Sequence, residues 1–306
     1  PLVSGYLVGN YFGQDVMSTI FIGLCVAITA LPVSIRILMD LGKLNSPVGQ
    51  KIISVAIFDD VIALTILGIL LDLKDVEPTF ANISQATVFT VLKLAAFLII
   101  IALTYKLIQK FAQKENFIEN QLNTILTYLK GKESLFAVFF VFILIFATMT
   151  ESIGLHFIIG AFFASMLISK DLVGEKHLET FHNTTNSMAM GFLAPIFFAG
   201  IGLEFQFSSI QNYPLLFAII AVSFLSKIIG GYIGGRFARL NHKVSLALGI
   251  GLNARGIMEL VIANIAYKAG IINTEIFSML VIMGLITTLS TPFLLKRAFK
   301  SIEKAV

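Results

Sequence analysis

The sequence has no tryptophan, one cysteine and little charge: Asp, Glu, Lys and Arg make up 13% of its residues, against about 25% in an ordinary soluble domain. So little charge excludes a typical water-soluble globule. The absence of tryptophan removes the usual indole belt at a membrane interface, leaving only seven tyrosines for that role. A single cysteine, Cys25, excludes an intrachain disulfide and, within an apolar stretch, says nothing about redox compartment. The start lacks an initiator methionine and a charged-then-apolar signal segment. Residues 1–14 read as the tail of an apolar element, so the chain is expected to begin inside its protein. No soluble domain or low-complexity tract is expected within these residues, and no C-terminal extension.

Apolar residues are what the chain has in quantity: 57% are hydrophobic and 28 are phenylalanine. Runs of about 20 apolar residues, enough to cross a bilayer core, suggest nine spans. They are 17–39, 48–72, 86–112, 134–150, 154–169, 187–204, 213–236, 244–268 and 275–296. Long polar connections fall at 113–133, where an amphipathic surface helix is expected, and at 170–186.

Charge placement tests that count. Connections assigned alternately to two sides give one side 16 of the 22 Lys and Arg and the other only Lys74 and Lys268; Arg36, Lys93, Lys227 and Arg255 fall within spans. The positive-inside rule predicts such an asymmetry, placing the C-terminus in the cytoplasm and running the first span inward. The net charge of +4 therefore points to a lipid bilayer as partner and not to nucleic acid.

The chemically specific residues sit at span centres. Asp59 and Asp60 lie in the middle of Ile52–Leu71, where an ionised side chain costs roughly 2.5–3.5 kcal/mol on insertion scales. Lys227 is near the centre of the seventh span, Asn253–Glu259 near that of the eighth, and Thr29–Ser34 near that of the first. Lys227 is the natural partner for one aspartate, because a cation stabilises a desolvated carboxylate. Adjacent acids in a low dielectric titrate as a coupled pair, and such a carboxylate can exchange a proton for a monovalent cation. Pro32 removes a backbone donor, which Thr29 and Ser34 could offset. Gly256 tolerates a second interruption, with Arg255 and Glu259 available as counter-charges for free helix ends. Two opposed, similarly broken helices are the trace of an inverted repeat and mark a secondary transporter's site. Plainer roles compete: an Asp59–Lys227 staple, a kink at Pro32, a local Arg255–Glu259 pair. Gly230, Gly231, Gly234 and Gly235, and likewise Gly200 and Gly202, read as close helix packing.

On these residues the chain resembles the monovalent cation:proton antiporter family, in the branch of NapA-like sodium/proton antiporters, Kef-type potassium efflux systems and plant cation/proton exchangers. SIRILMDLGKLNSPVGQKIISVAIFDDVIAL resembles a broken helix followed by the ion-site helix. HFIIGAFFASMLIS and FLAPIFFAGIGLEF resemble mid-chain helices, and NARGIMELVIANIAYKAGIINTEIFSMLVIMGLITTLSTP the second broken helix and its successor. Kef-type systems usually have Gln-Asp where Asp59-Asp60 stands. Many relatives place an acid directly after the glycine, whereas here Ile257 and Met258 precede Glu259.

The resemblance implies an all-α membrane protein with the inverted-repeat sodium/proton antiporter fold and two broken, crossing transmembrane helices. It implies a secondary active antiporter, not an enzyme, that exchanges protons for sodium or potassium by alternating access, electrogenically, and serves pH homeostasis. Asp60 would be the main cation and proton carrier, holding sodium or potassium, and Asp59 would form a releasable salt bridge with Lys227. Thr29, Ala30, Pro32 and Ser34 would line the crossing against Asn253, Arg255, Gly256 and Glu259. The cargo is the only ligand implied; no cofactor is expected. One transmembrane domain would cover 1–306 without its N-terminal helices. It would have a core bundle at about 1–72 and 213–300, and linker and scaffold helices at about 86–204. A homodimer in the cell membrane is implied. The competing readings are a Kef-type gated potassium efflux pathway and a non-transporting membrane sensor.

Overall fold

Helices form every regular element among the described residues, and a backbone in hydrocarbon can satisfy its N–H and C=O groups inside a helix. The structure, a computed structural model, describes residues 1–73, 79–112, 134–169 and 173–303. The surface helix expected at 113–133 lies outside them, as do Lys74, Lys114, Lys130, Lys132, Lys170 and Lys304 of the charge sorting. In chain order the helices are α1 (Leu2–Tyr11), α2 (Val16–Ala27), α3 (Leu31–Asp40), α4 (Pro47–Asp72) and α5 (Phe80–Ala112). There follow α6 (Ser134–Ser152), α7 (Phe157–Leu167), α8 (Glu175–Met188) and α9 (Ala194–Glu204). The last four are α10 (Tyr213–Phe237), α11 (His242–Gly251), α12 (Ile257–Lys268) and α13 (Thr274–Glu303).

Among the described residues seven segments are long and apolar enough to cross a membrane, counting α2–α3 as one and α8–α9 as one; the fifth and eighth of the nine expected spans, α7 and the broken pair α11–α12, are not among them. The sixth span starts earlier than its apolar run suggests. Glu175–Met188 is polar helix, and the π-helical turn Ala189–Leu193 joins it to α9, so the connection expected at 170–186 is largely helical.

The described residues fall into two compact units, 84–200 and 1–83 with 201–306. In the first unit Leu135, Phe139 and Val173 form a small core, with Ile108 and Phe181 against it. There α6 and α7 touch at Gly160, where a Cβ would collide with the carbonyl of Phe146.

The second unit is two copies of one motif, offset by 226 positions. Helix α1 ends at Tyr11 and α10 at Phe237; α2 starts at Val16 and α11 at His242; α3 starts at Leu31 and α12 at Ile257. Starts of α4 and α13, at Pro47 and Thr274, agree within one residue. Side chains keep the same register. Asp15 caps α2 by accepting from Ser18 N (3.0 Å), and Asn241, 226 residues on, caps α11 by accepting from Val244 N (2.8 Å). Gly5 meets Gly23, where a Cβ would lie 2.7 Å from the partner Cα, and Gly231 meets Gly249 at 2.5 Å. Gly9 against Thr19 repeats as Gly235 against Ser245. Each copy thus presses a helix onto the first half of its broken helix through small residues, as helices in lipid commonly pack. A core of Ile37, Leu38, Ile52, Leu248, Leu252, Leu295 and Phe299 ties α3 and α4 of one copy to α11 and α13 of the other.

Glycines expected to pack together therefore divide. Gly231 and Gly235 are packed, while a Cβ on Gly234 would meet nothing within 4 Å, and Gly200 and Gly202 are equally open. Gly249→Ala would put a Cβ 2.4 Å from the Ile228 carbonyl and should destabilise the protein by about 1–3 kcal/mol. Gly234→Ala, with open space, should be neutral or stabilising. Melting of both variants in detergent checks the contrast.

Candidate functional site

Both broken helices break for local reasons. Helix α2 stops at Ala27, Ile28 and Ala30 take extended backbone, and α3 starts at Leu31 with Pro32 in its first turn. Pro32 therefore opens a half-helix, where a missing N–H costs nothing, and does not kink one from within. Ser34 was expected to satisfy freed backbone groups, yet its hydroxyl is buried without a partner. The second break spans Leu252–Gly256. Gly256 is needed there for closeness: a Cβ would lie 2.6 Å from Val33 Cγ2.

The breaks cross antiparallel. Ala30 N donates to Ala254 O (2.8 Å). Thr29 Oγ1 lies 3.1 Å from Leu252 O, while Arg255 Nη2 donates to Val26 O at 2.6 Å. By the 226-residue offset Thr29 is the counterpart of Arg255, and Val26 of Leu252. Each copy thus directs one side chain at a carbonyl ending the other copy's half-helix, where orphan acceptors concentrate negative potential. One copy uses a neutral hydroxyl and the other a guanidinium.

The hydroxyl half holds the acids. Lys227 Nζ donates to Asp59 Oδ2 (2.8 Å) and to Thr29 Oγ1 (2.6 Å), and Thr29 Oγ1 is 2.6 Å from Asp59 Oδ2. One hydroxyl proton therefore faces two acceptors, the carboxylate and Leu252 O. Lys227 is 4% exposed, whereas the Asp59 side chain is 25% exposed. Asp60 is 3% exposed and its Oδ1 has no hydrogen-bond partner. A cavity of about 690 Å³ reaches Asp59 and Lys227. Lys51, Ser54, Val55 and Asp59 line it from one face of α4, and Gly230, Gly231 and Gly234 from α10.

The guanidinium half is dry. Arg255 and Glu259 are both 0% exposed and approach to 3.8 Å. Arg255 also contacts Ser223 O (3.3 Å) and Met283 Sδ (2.8 Å), and Thr288 Oγ1 donates to Arg255 O (2.6 Å). Neither Glu259 oxygen has a hydrogen bond, though Glu259 lies in the first turn of α12, where the helix dipole favours an anion. Both side-chain atoms of the fully buried Asn253 lack partners.

The structure thus brings Thr29, Asp59 and Lys227 together, sets Asp60 beside them, and groups Arg255 with Glu259 on the far side of the crossing. Sequence reading missed Ser54 and Lys51 on the cavity face, although Lys51, eight residues before Asp59, follows the helical period. It also missed Thr288 and Met283, for which the only signal was a run of small hydroxyl residues in α13.

Comparison with known proteins yields one family model, described as "Sodium/hydrogen exchanger, transmembrane", which matches residues 1–300. The chain is 28% identical over 303 residues to the Na(+)/H(+) antiporter of Enterococcus hirae, covering 99% of this chain and 75% of that protein. It is 27% identical to the Na(+)/H(+)-K(+) antiporter GerN of Bacillus cereus, covering 100% and 74%. Similarity to Cation/H(+) antiporter 15 of Arabidopsis thaliana is 26% identity, covering 97% of this chain and 34% of the plant protein.

Proposed function

The chain belongs to the transmembrane sodium/hydrogen exchanger family, and on that premise we propose that it is a secondary active antiporter exchanging protons for sodium or potassium. The observation that carries this reading is a charge count at the crossing. Asp59 and Asp60 bring two potential negative charges and Lys227 one positive, and Asp60 has a buried oxygen with no hydrogen bond. A buried charge is strongly unfavourable unless it is neutralised. One further positive charge is wanted, and either a proton on Asp60 or a bound monovalent cation supplies it. Two occupants that compete for one place are exchanged, not co-transported.

In this reading Asp60 carries the cation and the proton, and the Asp59–Lys227 pair is the releasable element. When a cation draws both carboxylates, Lys227 loses its partner, and an isolated buried ammonium is costly enough to give up its proton. Two protons then leave per cation, so the cation-loaded site carries one negative charge where the protonated site is neutral, and that difference would make the exchange electrogenic. Residues of about 1–72 and 213–300 act as a moving core, and those of about 86–204 as linker and scaffold in a homodimer, with alternating access as the cycle. The distribution of Lys and Arg supports a cytoplasmic C-terminus, and the cell membrane is the location that this reading takes.

Inverted vesicles containing the full-length protein test the proposal. With an imposed pH gradient reported by a quenched dye, added sodium or potassium should restore fluorescence in proportion to cation concentration. Vesicles that hold their gradient under every monovalent cation would refute it.

A further inference from the structure

At one end of the same unit the α3–α4 and α10–α11 connections and the last turn of α13 line a second cavity, of about 440 Å³, within the ~300–1,000 Å³ range of small-ligand sites. We propose that it binds a phosphate-bearing anion. Its charged lining is Lys43, Lys51, Arg239 and one acid, Glu303. Lys43 is paired with Glu303 and lies 5.9 Å from the Phe299 ring centroid. Lys51 and Arg239 have no charged or hydrogen-bonding side-chain partner among the described residues, so two cations face the cavity unbalanced. Neighbouring Lys243 donates to Ser301 O (2.9 Å) and adds to the positive field.

Arg239 is informative for another reason. Its φ of 59° makes it the one non-glycine residue with positive φ among those described. It follows the C-cap of α10, a position where glycine or asparagine is the less strained choice. A large cationic side chain kept at such a position, directed to no protein anion, fits a site that requires its charge. Two helices also begin on the cavity wall, α4 after Ser46 and α11 after Asn241. Their dipoles add positive potential to that of the side chains.

The place in the fold narrows the ligand. All three segments join or end membrane-length helices, so the cavity lies at headgroup depth, where basic pockets between helices take phosphate groups of anionic lipids. The shared chemistry is a phosphate oxyanion, whether on a lipid or free in solution. Lys51 and Leu240 line both cavities. An anion held in the smaller one would therefore offset a positive charge on the wall of the larger, along which a cation reaches Asp59.

Thermal melting of the purified full-length protein in detergent tests the site, with phosphatidylglycerol, phosphatidylcholine, sodium phosphate and sodium chloride as separate additions. The variant is Arg239→Asn, which removes the charge while keeping a residue that tolerates positive φ; Lys51→Gln is the second. A rise in melting temperature with phosphatidylglycerol but not phosphatidylcholine, diminished in both variants, supports a lipid phosphate. A rise with sodium phosphate at matched ionic strength, also diminished in both, supports free phosphate. If neither addition raises the melting temperature of the parent protein, or if the variants respond as fully as the parent, the site does not exist.

Discussion

Asp60→Asn should reduce cation-driven proton movement to that of vesicles without protein, while the variant remains folded. The substitution keeps the shape of the side chain, exchanges one carboxyl oxygen for an NH2 group, and removes the capacity to hold a charge and a titrating proton. Asp60 is buried and its Oδ1 makes no hydrogen bond, so the folded state loses no hydrogen bond at that oxygen. Asp59→Asn should behave differently. It leaves Lys227, 4% exposed, without its anion, and breaking a buried pair from one side typically costs about 3–5 kcal/mol. Stability and transport should therefore separate at two adjacent aspartates: transport alone is lost at 60, and both suffer at 59. Dye dequenching and melting on the same preparations check this. Wild-type exchange by Asp60→Asn would reassign the carrier.

A stability effect of similar size is expected at Arg255. Its guanidinium satisfies Val26 O at 2.6 Å, contacts Met283 and Ser223, and is the cation beside Glu259, all at 0% exposure. Arg255→Leu would strand a fully buried carboxylate and leave Val26 O without this donor, a loss of about 3–5 kcal/mol. Adding Glu259→Leu should return much of that, because replacing both members of a buried pair by apolar groups is often neutral. Full recovery of melting temperature in the double variant would identify the pair as structural. A double variant as unstable as Arg255→Leu would mean instead that capping of α2 is the main role of Arg255.

Much of this architecture was legible in the linear chain because lipid leaves few options. Apolar length marks most of the spans, and mid-span charge picks out side chains that meet at the crossing. That Lys227 pairs with one aspartate followed from charge, and that the partner is Asp59 from the family resemblance; the pair is 2.8 Å apart. Pro32 and Gly256 were read correctly as interruptions but not for what they do: Pro32 starts a half-helix and Gly256 admits Val33. The 226-residue register was hidden, since it is written in small residues and caps (Gly5/Gly231, Gly9/Gly235, Asp15/Asn241) and not in the apolar pattern. The exchange of Thr29 for Arg255 across the pseudo-symmetry was likewise invisible. Only folding shows that both reach carbonyls at half-helix ends. Polar helix α8 escaped because polarity reads as a connection until its continuity with α9 is seen.

The claim that proton and cation compete for the same buried carboxylate is tested most directly in proteoliposomes with the membrane potential clamped. A pH gradient alone should drive sodium or potassium uphill, and a cation gradient alone should drive protons the opposite way. Cation flux that runs only down its own gradient, with no proton moved in return, would contradict the account and indicate a gated efflux pathway.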